Sequence, residues 1–380
     1  MAGIYFHIPF CKQACHYCDF HFSTSLKYRD DMVAALCREV ALQSGYLVGQ
    51  DATIETIYFG GGTPSLLAAT DINRLIDAVG IHFDICPDAE VTIEANPDDL
   101  SDAYVKELRA TLINRFSIGI QSFFEEDLRW MNRAHSAAEA HSAIQRIQDA
   151  GYANITADLI YGYPLLSDDK WQSNIGRLVE TGIPHISAYG MTVEPRTALA
   201  AFIRKGKQLP MDEGQAATQF NQLMDTLTAA GFIHYEISNF ARPGNVARHN
   251  SNYWKGVPYI GIGPSAHSFD GRSRQWNVRN NAHYMRAIQT DTVPYEKEEL
   301  TTPDRLNEYI MTALRTIWGL DLGVVERRFG SHYRQTLDAV LPQFVSNGDI
   351  MLEGPVVTLT RKGKLFADHI AAELFVDQEA

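Results

Sequence analysis

Positive charge is what this chain is short of. Its 33 lysines and arginines face 46 aspartates and glutamates, a formal net charge of −13 over 380 residues. A general nucleic-acid binder, or a protein held on anionic lipid, needs a basic face. Neither class fits, and only a local basic pocket stays open. Long apolar runs are missing too: none reaches the ~18 uninterrupted residues of a membrane span. The opening "MAGIYFHIPF" has no basic segment ahead of a long apolar stretch, so it does not read as a secretory signal. These absences predict a protein kept in the cytoplasm, with any membrane contact coming through a partner. Cysteine is scarce, and the count of five is odd, which argues against a disulfide framework. Short repeats and low-complexity segments are absent.

What is present is ample apolar material, 45 % of the chain, arranged as an alternation. Short apolar runs read as strands at 3–8, 54–60, 90–95, 115–120, 154–160 and 185–191. Helical patterns lie between them. "YRDDMVAALCREVALQ" places Tyr28, Met32, Leu36 and Val40 on one face. Thr70 or Asp71, Ser101, Ser136 and Ser167 stand where N-caps are wanted, and Gly151 and Gly182 where helices close. Six β-then-α units in series imply a parallel sheet with right-handed crossovers. Six are too few for a closed eight-stranded barrel, which leaves an open doubly wound sheet or a partial barrel; the strand-end residues below favour an α/β fold with a partial (β/α)6 TIM-like barrel over 1–195. A mixed α/β extension follows at 196–298. An α+β region at 299–380, reading helix, helix, short hairpin, helix, resembles a winged helix. The acidic balance favours a structural role for it over DNA binding.

Three of the five cysteines crowd into "HIPFCKQACHYCDFHF": Cys11, Cys15 and Cys18. Cys37 and Cys86 lie in apolar patterns and are expected to pack as small hydrophobes. Thiolates suit zinc or an iron–sulfur cluster. For zinc, His16, Asp19 or His21 would be the fourth ligand; for a four-iron cluster, three thiolates leave one iron open. Residues near the ends of the other strands favour the second reading, because ligands of a parallel β/α barrel meet the strands' C-terminal ends. They are "GGGTP" (Gly60 to Pro64), Glu94, Gln121, Asp158 and Tyr189. The glycines let backbone approach a ligand. Glu94 suits an ammonium, Gln121 and Asp158 suit ribose hydroxyls or an amino group, and Arg133 suits a carboxylate. Together they suit a zwitterionic, ribose-bearing ligand.

With its Cys-x3-Cys-x2-Cys spacing and Tyr17 between the last two cysteines, the chain resembles the radical S-adenosylmethionine (SAM) superfamily. "YFHIPFCKQACHYCDF", "FGGGTPS", "IEANP", "GIQSF", "DLIYGYP" and "HNSNYW" are similar to the group containing oxygen-independent coproporphyrinogen III oxidase, over nearly the whole length. The resemblance implies a [4Fe-4S] cluster on Cys11, Cys15 and Cys18, with SAM on the open iron. Tyr5, Tyr17, Gly61, Gly62, Thr63, Glu94, Gln121, Arg133 and Asp158 fall on that family's SAM-contacting positions, with a backbone contact near Gly190. The oxidases resemble "CxxxCxxCxC", whereas Phe20 takes the last cysteine's place here. Their extension ahead of the first strand is also missing from this sequence. Both departures resemble HemW-type haem chaperones, which bind haem and pass it to respiratory proteins. Decarboxylation of coproporphyrinogen III is the competing expectation, and a zinc-stabilised α/β protein a third. Within the family's HNxxYW pattern, His249 becomes a candidate haem ligand, with Tyr253 and Trp254 as apolar faces for the porphyrin. His7 and His267 are further histidines placed near a pocket. "GIGPSA" has nucleotide-loop spacing without the strand–helix unit that would support it.

Overall fold

The computed structural model describes residues 1–47 and 53–377; the last three residues of the predicted C-terminal region lie outside these. Six strands alternate with helices in the first half: β1 (Ala2–Ile8), β2 (Ile54–Gly61), β3 (Ile85–Ala95), β4 (Arg115–Gln121), β5 (Ile155–Tyr161) and β6 (His185–Gly190). The helices are α1 (Arg29–Leu42), α2 (Ala69–His82), α3 (Asp102–Leu108), α4 (Glu125–Met131), α5 (Ala137–Asp149) and α6 (Asp168–Glu180). The six strands pair in parallel, in chain order. Because successive side chains of a strand point to opposite faces, each strand separates two environments. Ile4, Phe6 and Ile8, or Phe116, Ile118 and Ile120, are wholly or almost wholly buried against the helices. The alternate positions, such as Tyr5 and His7, or Ser117 and Gln121, form the inner face.

Local signals account for most helix ends. Ser101, Ser136 and Ser167 each accept a backbone N–H three residues on, and Ser136 completes a capping box with Glu139. Gly151 and Gly182 follow their helices at positive φ. Two expectations need correction. Helix α2 begins at Ala69, so Thr70 and Asp71 lie inside its first turn, where Asp71 pairs with Arg74 at 3.1 Å. Tyr28 precedes α1 and is exposed, while Met32, Leu36 and Val40 are buried as the spacing requires.

The sheet does not stop at six strands. After α7 (Ala198–Arg204) and α8 (Glu213–Ala229), β7 (Ile233–Glu236) and β8 (Asn239–Ala241) add antiparallel beside β6. After α9 (Arg248–Trp254), β9 (Tyr259–Ile262) adds parallel to β1 on the opposite flank, and β10 (His267–Phe269), β11 (Ser273–Asn277) and β12 (Tyr295–Glu299) continue it antiparallel. The result is an open 12-stranded sheet. "GIGPSA" is the turn from β9 to β10: a Cβ at Gly261 would lie 2.0 Å from the His267 carbonyl, so this close approach needs glycine. Glu39 of α1 locks this flank. It is fully buried and accepts from Gly263 N at 2.7 Å, Asn277 Nδ2 at 2.6 Å and the hydroxyl of Tyr284 on α10 (Asn281–Gln289).

A second hydrophobic core, from Leu306 to Val376, belongs to the C-terminal region. It is built from α11 (Thr302–Leu314), α12 (Leu322–Phe329), α13 (Ser331–Ser346) and α14 (Ala367–Glu373). These pack with a small sheet of β13 (Leu320–Asp321), β14 (Ile350–Glu353) and β15 (Val356–Leu359). Among the described residues, no helix is long and apolar enough to cross a membrane.

Candidate cofactor site

The C-terminal ends of β1 to β6 surround a cavity of about 600 Å³. Its first wall is the loop after β1, which carries Cys11, Cys15 and Cys18. That loop is fastened by backbone: Cys11 N donates to Ser23 O at 3.1 Å and His16 N to Met131 O at 3.0 Å, while His16 O accepts from Leu199 N at 2.8 Å. Asn132 Nδ2 reaches Ala14 O at 2.7 Å. Burial pushes the Cys18 thiol up to about 11 and raises Cys11 as well, the latter against a hydrogen bond with Thr63. Binding of a metal cluster would favour the thiolate form of these buried thiols.

Glycines let the second wall close on the first. Gly62 N donates to Ile8 O at 2.9 Å and Thr63 N to Phe10 O at 2.6 Å. A Cβ at Gly62 would meet Phe10 O at 2.4 Å, and Gly61 has φ of +99°. Glu94 lies beyond them, its Oε1 accepting from the Tyr58 hydroxyl at 2.7 Å. Burial pushes its carboxyl up to about 7, and Asp158 across the cavity up to about 6. Gln121 ends β4 at φ +65°, lining the cavity. Arg133 brings a fixed positive charge to this wall. Its Nη2 donates to Asn96 Oδ1 at 2.7 Å and Gly119 O at 2.9 Å, and its Nη1 approaches Cys15 Sγ at 3.5 Å. Its Nε is buried without a partner, and Tyr17 hydrogen-bonds the same guanidinium.

Thus Cys11, Cys15, Cys18, Tyr17, Gly61, Gly62, Thr63, Glu94, Gln121, Arg133 and Asp158 share one cavity, with Tyr189 and Gly190 at its edge. Tyr5 stands behind it, stacked on Tyr58 at 6.1 Å. Among the described residues, no three His, Cys, Asp or Glu side chains converge on a single metal ion. None of the zinc reading's fourth ligands joins the cysteines in such a group. His16 Nδ1 is on Trp130 O at 2.8 Å, His21 Nε2 on Asn281 Oδ1 at 2.7 Å, and Asp19 between Arg196 and Arg279. A cubane, which spreads its thiolates over separate corners, asks for no such convergence. An acidic pair, a buried guanidinium with an orphan N–H, and glycine-lined backbone also fit a zwitterionic nucleoside.

His249, expected as a haem ligand, does not line this cavity. Helix α9 places the ring, 2 % exposed, against the inner face of β2. Its Nδ1 pairs with Thr56 Oγ1 at 2.8 Å and its Nε2 with the Tyr253 hydroxyl at 2.9 Å. Both ring nitrogens are thus hydrogen-bonded to hydroxyls on its own side of the sheet. His7 fills the inner face and meets the His21 carbonyl through Nε2 at 2.8 Å. His267 is exposed on β10 beside Trp276.

Sequence reasoning missed Tyr58, Asn96, Arg115, Ser117, Ser187 and Asn250, all of which line the cavity. A usable signal was there. In "RFSIGIQ", Arg115, Ser117, Gly119 and Gln121 alternate with Phe116, Ile118 and Ile120, so the polar set shares one face.

Burial also sets the acid behaviour of the apo protein. His7 and His135 are lowered to about 4, His234 and His249 to about 3, and His185 is lowered as well, all chiefly by desolvation. Between about pH 4 and 6.5 the unfolded chain binds protons at these rings that the folded chain refuses, so their contribution is lost as pH falls. Glu39, raised to about 7, acts with Glu94 and Asp158 in the opposite sense: their contribution is lost as pH rises towards 7. The histidines outnumber the carboxyls by about two protons, or about 3 kcal/mol per pH unit near pH 5. Urea midpoints should peak near pH 7 and fall towards pH 5; a midpoint that rises on acidification would contradict the assignment.

Comparison with known proteins agrees with this geometry. The Radical SAM superfamily pattern matches residues 5–178, and the HemN C-terminal domain pattern matches residues 300–366. The haem chaperone HemW of Mycobacterium tuberculosis is 36 % identical over 378 residues, 98 % of this chain and 94 % of that protein. HemW of Bacillus subtilis is 33 % identical over 97 % of this chain and 98 % of its own length. HemW of Escherichia coli is 33 % identical over 98 % of each. Among solved structures, coproporphyrinogen III oxidase HemN from Escherichia coli superposes with a TM-score of 0.84. It covers 99 % of this chain and 90 % of that one at 23 % identity, a likeness of fold.

Proposed function

Since the chain belongs to the HemW family of haem chaperones within the radical SAM superfamily, we propose that it is a cytoplasmic haem carrier. In this reading it holds a [4Fe-4S] cluster and SAM, and hands haem to respiratory proteins. The observation that carries the cofactor part is the three-cysteine loop forming one wall of a cavity whose other walls suit a zwitterion. Cys11, Cys15 and Cys18 would hold the cluster. A cluster of this kind supplies a fourth iron open to the amino and carboxylate groups of SAM, and an electron where SAM is turned over. The chain's own residues do the rest. Glu94, held by Tyr58, would accept from the amino group; Asp158 and Gln121 would take ribose hydroxyls; Arg133 puts fixed positive charge beside the Cys15 sulfur. Buried walls keep water from these contacts, which strengthens them.

The test is made on anaerobically reconstituted protein. Iron and sulfide should approach four each per chain, SAM should perturb the cluster spectrum, and haem should bind with a Soret shift. Incubated with coproporphyrinogen III, SAM and reductant, the protein should form no protoporphyrinogen IX. Turnover to that product would replace the carrier reading with an oxidase, and zinc in place of iron would remove both.

A further inference from the structure

The rim beside the third cysteine carries an apolar plate and two guanidiniums that the cofactor cavity leaves unused. Phe20, two residues past Cys18, lines the cavity mouth yet is 69 % exposed. Tyr189, at the end of β6, lines the same mouth at 44 % exposure. Aromatic rings left in water beside a cavity are surfaces that a ligand stabilises by covering. Asp19, next to Phe20 in the chain, lines the same mouth, and two arginines from distant segments converge on it. Arg196, after β6, places Nη2 3.5 Å from Oδ2. Arg279, after β11, places Nη2 3.6 Å from Oδ1 and also donates to the Asp19 carbonyl. One carboxylate is shared by two guanidiniums, on a chain of net charge −13. Both arginine side chains stay open to solvent, at 74 % and 42 % exposure. Glu194 is the opposing charge on this mouth.

A flat apolar plate beside two guanidiniums matches a flat macrocycle with two carboxylates on one edge. SAM, with a single carboxylate destined for the cavity interior, does not use them. Resting on the reading of the chain as a haem carrier, we propose that haem lies face-on against Phe20 at this rim. Its two propionates pair with Arg196 and Arg279, and its far edge points towards Tyr189. Guanidinium forks match carboxylates in geometry as well as charge. A site at the rim, unlike one inside the barrel, leaves the outer face of the macrocycle open to an acceptor.

The experiment is a haem titration of the full-length, cluster-loaded protein followed in the Soret band. Arg196→Glu combined with Arg279→Glu should weaken binding tenfold or more, and Phe20→Ala about fivefold. Asp19→Asn, which frees both guanidiniums, should tighten binding about threefold. On the unmodified protein, haem dimethyl ester should bind about tenfold more weakly than haem, a comparison independent of any variant's folding. Equal affinities for haem and its ester, or an arginine pair variant that binds haem as the parent does, would overturn the rim site while leaving the carrier reading intact. A parent protein that binds no haem at all would overturn both.

Discussion

Replacing Cys15 by alanine is expected to abolish the iron–sulfur cluster while leaving the fold in place. The two effects separate because the loop is not positioned by its sulfurs. Its course is set by backbone and side-chain bonds on either side of Cys15: Asn132 to the Ala14 carbonyl at 2.7 Å, and His16 to Met131 and Leu199 at 3.0 and 2.8 Å. The Cys15 side chain is only partly buried. Its truncation should cost the apo protein about 1 kcal/mol or less. Without it a cubane would have two protein thiolates and two unsupported irons. Iron and sulfide should then fall below about a tenth of the parent's content, because binding free energy rests on the complete ligand set. Cys37→Ala is the contrast: its sulfur meets the Arg74 carbonyl at 3.7 Å, away from the cavity, and cluster content should not change. A Cys15→Ala protein that still carries a full complement of iron would remove the cysteine loop from the site.

His249→Ala should produce the other large effect, and it should be a loss of stability rather than of haem. The ring stacks on Tyr58 at 4.9 Å and meets Tyr253 edge-on at 4.9 Å. Its backbone N–H donates to Glu90 at 2.9 Å. Truncation leaves a buried void together with Thr56 and Tyr253 hydroxyls that have lost a partner. These terms sum to about 3 kcal/mol, readable as a lower urea midpoint. A second consequence follows through Tyr58, which orients Glu94. SAM affinity of the folded fraction should drop several-fold, and Tyr58→Phe should reproduce that drop with a smaller loss of stability. The Soret position with haem bound should be unchanged. A His249→Ala protein with the parent's midpoint and no Soret band would return this ring to the haem.

Residues close in sequence made much of this protein legible before any coordinates. The cysteine trio, the glycine run after the second strand and the serine caps are local patterns whose physics acts within a few residues. The six β/α units were readable for the same reason, since each strand's apolar side repeats at period two. The resemblance then supplied the cofactor reading, and the structure gathers nearly all of its residues at one cavity. Tertiary structure alone decided the rest. Strands as short as β8 and β10 have no independent stability. They exist because β6 and β9 offer paired edges, so a Gly- and Asn-rich stretch gave no strand pattern to read. The histidine of "HNSNYW" looked like a ligand because imidazole is a versatile group. Its partners, Thr56, Tyr58 and Glu90, lie about 160 to 190 residues away and meet it only when α9 packs against the inner face of the sheet. Asp19, Arg196 and Arg279 likewise come together from three separate loops. Local pattern fixes which residues are available for chemistry; packing across the sheet decides which of them still have an atom free to perform it.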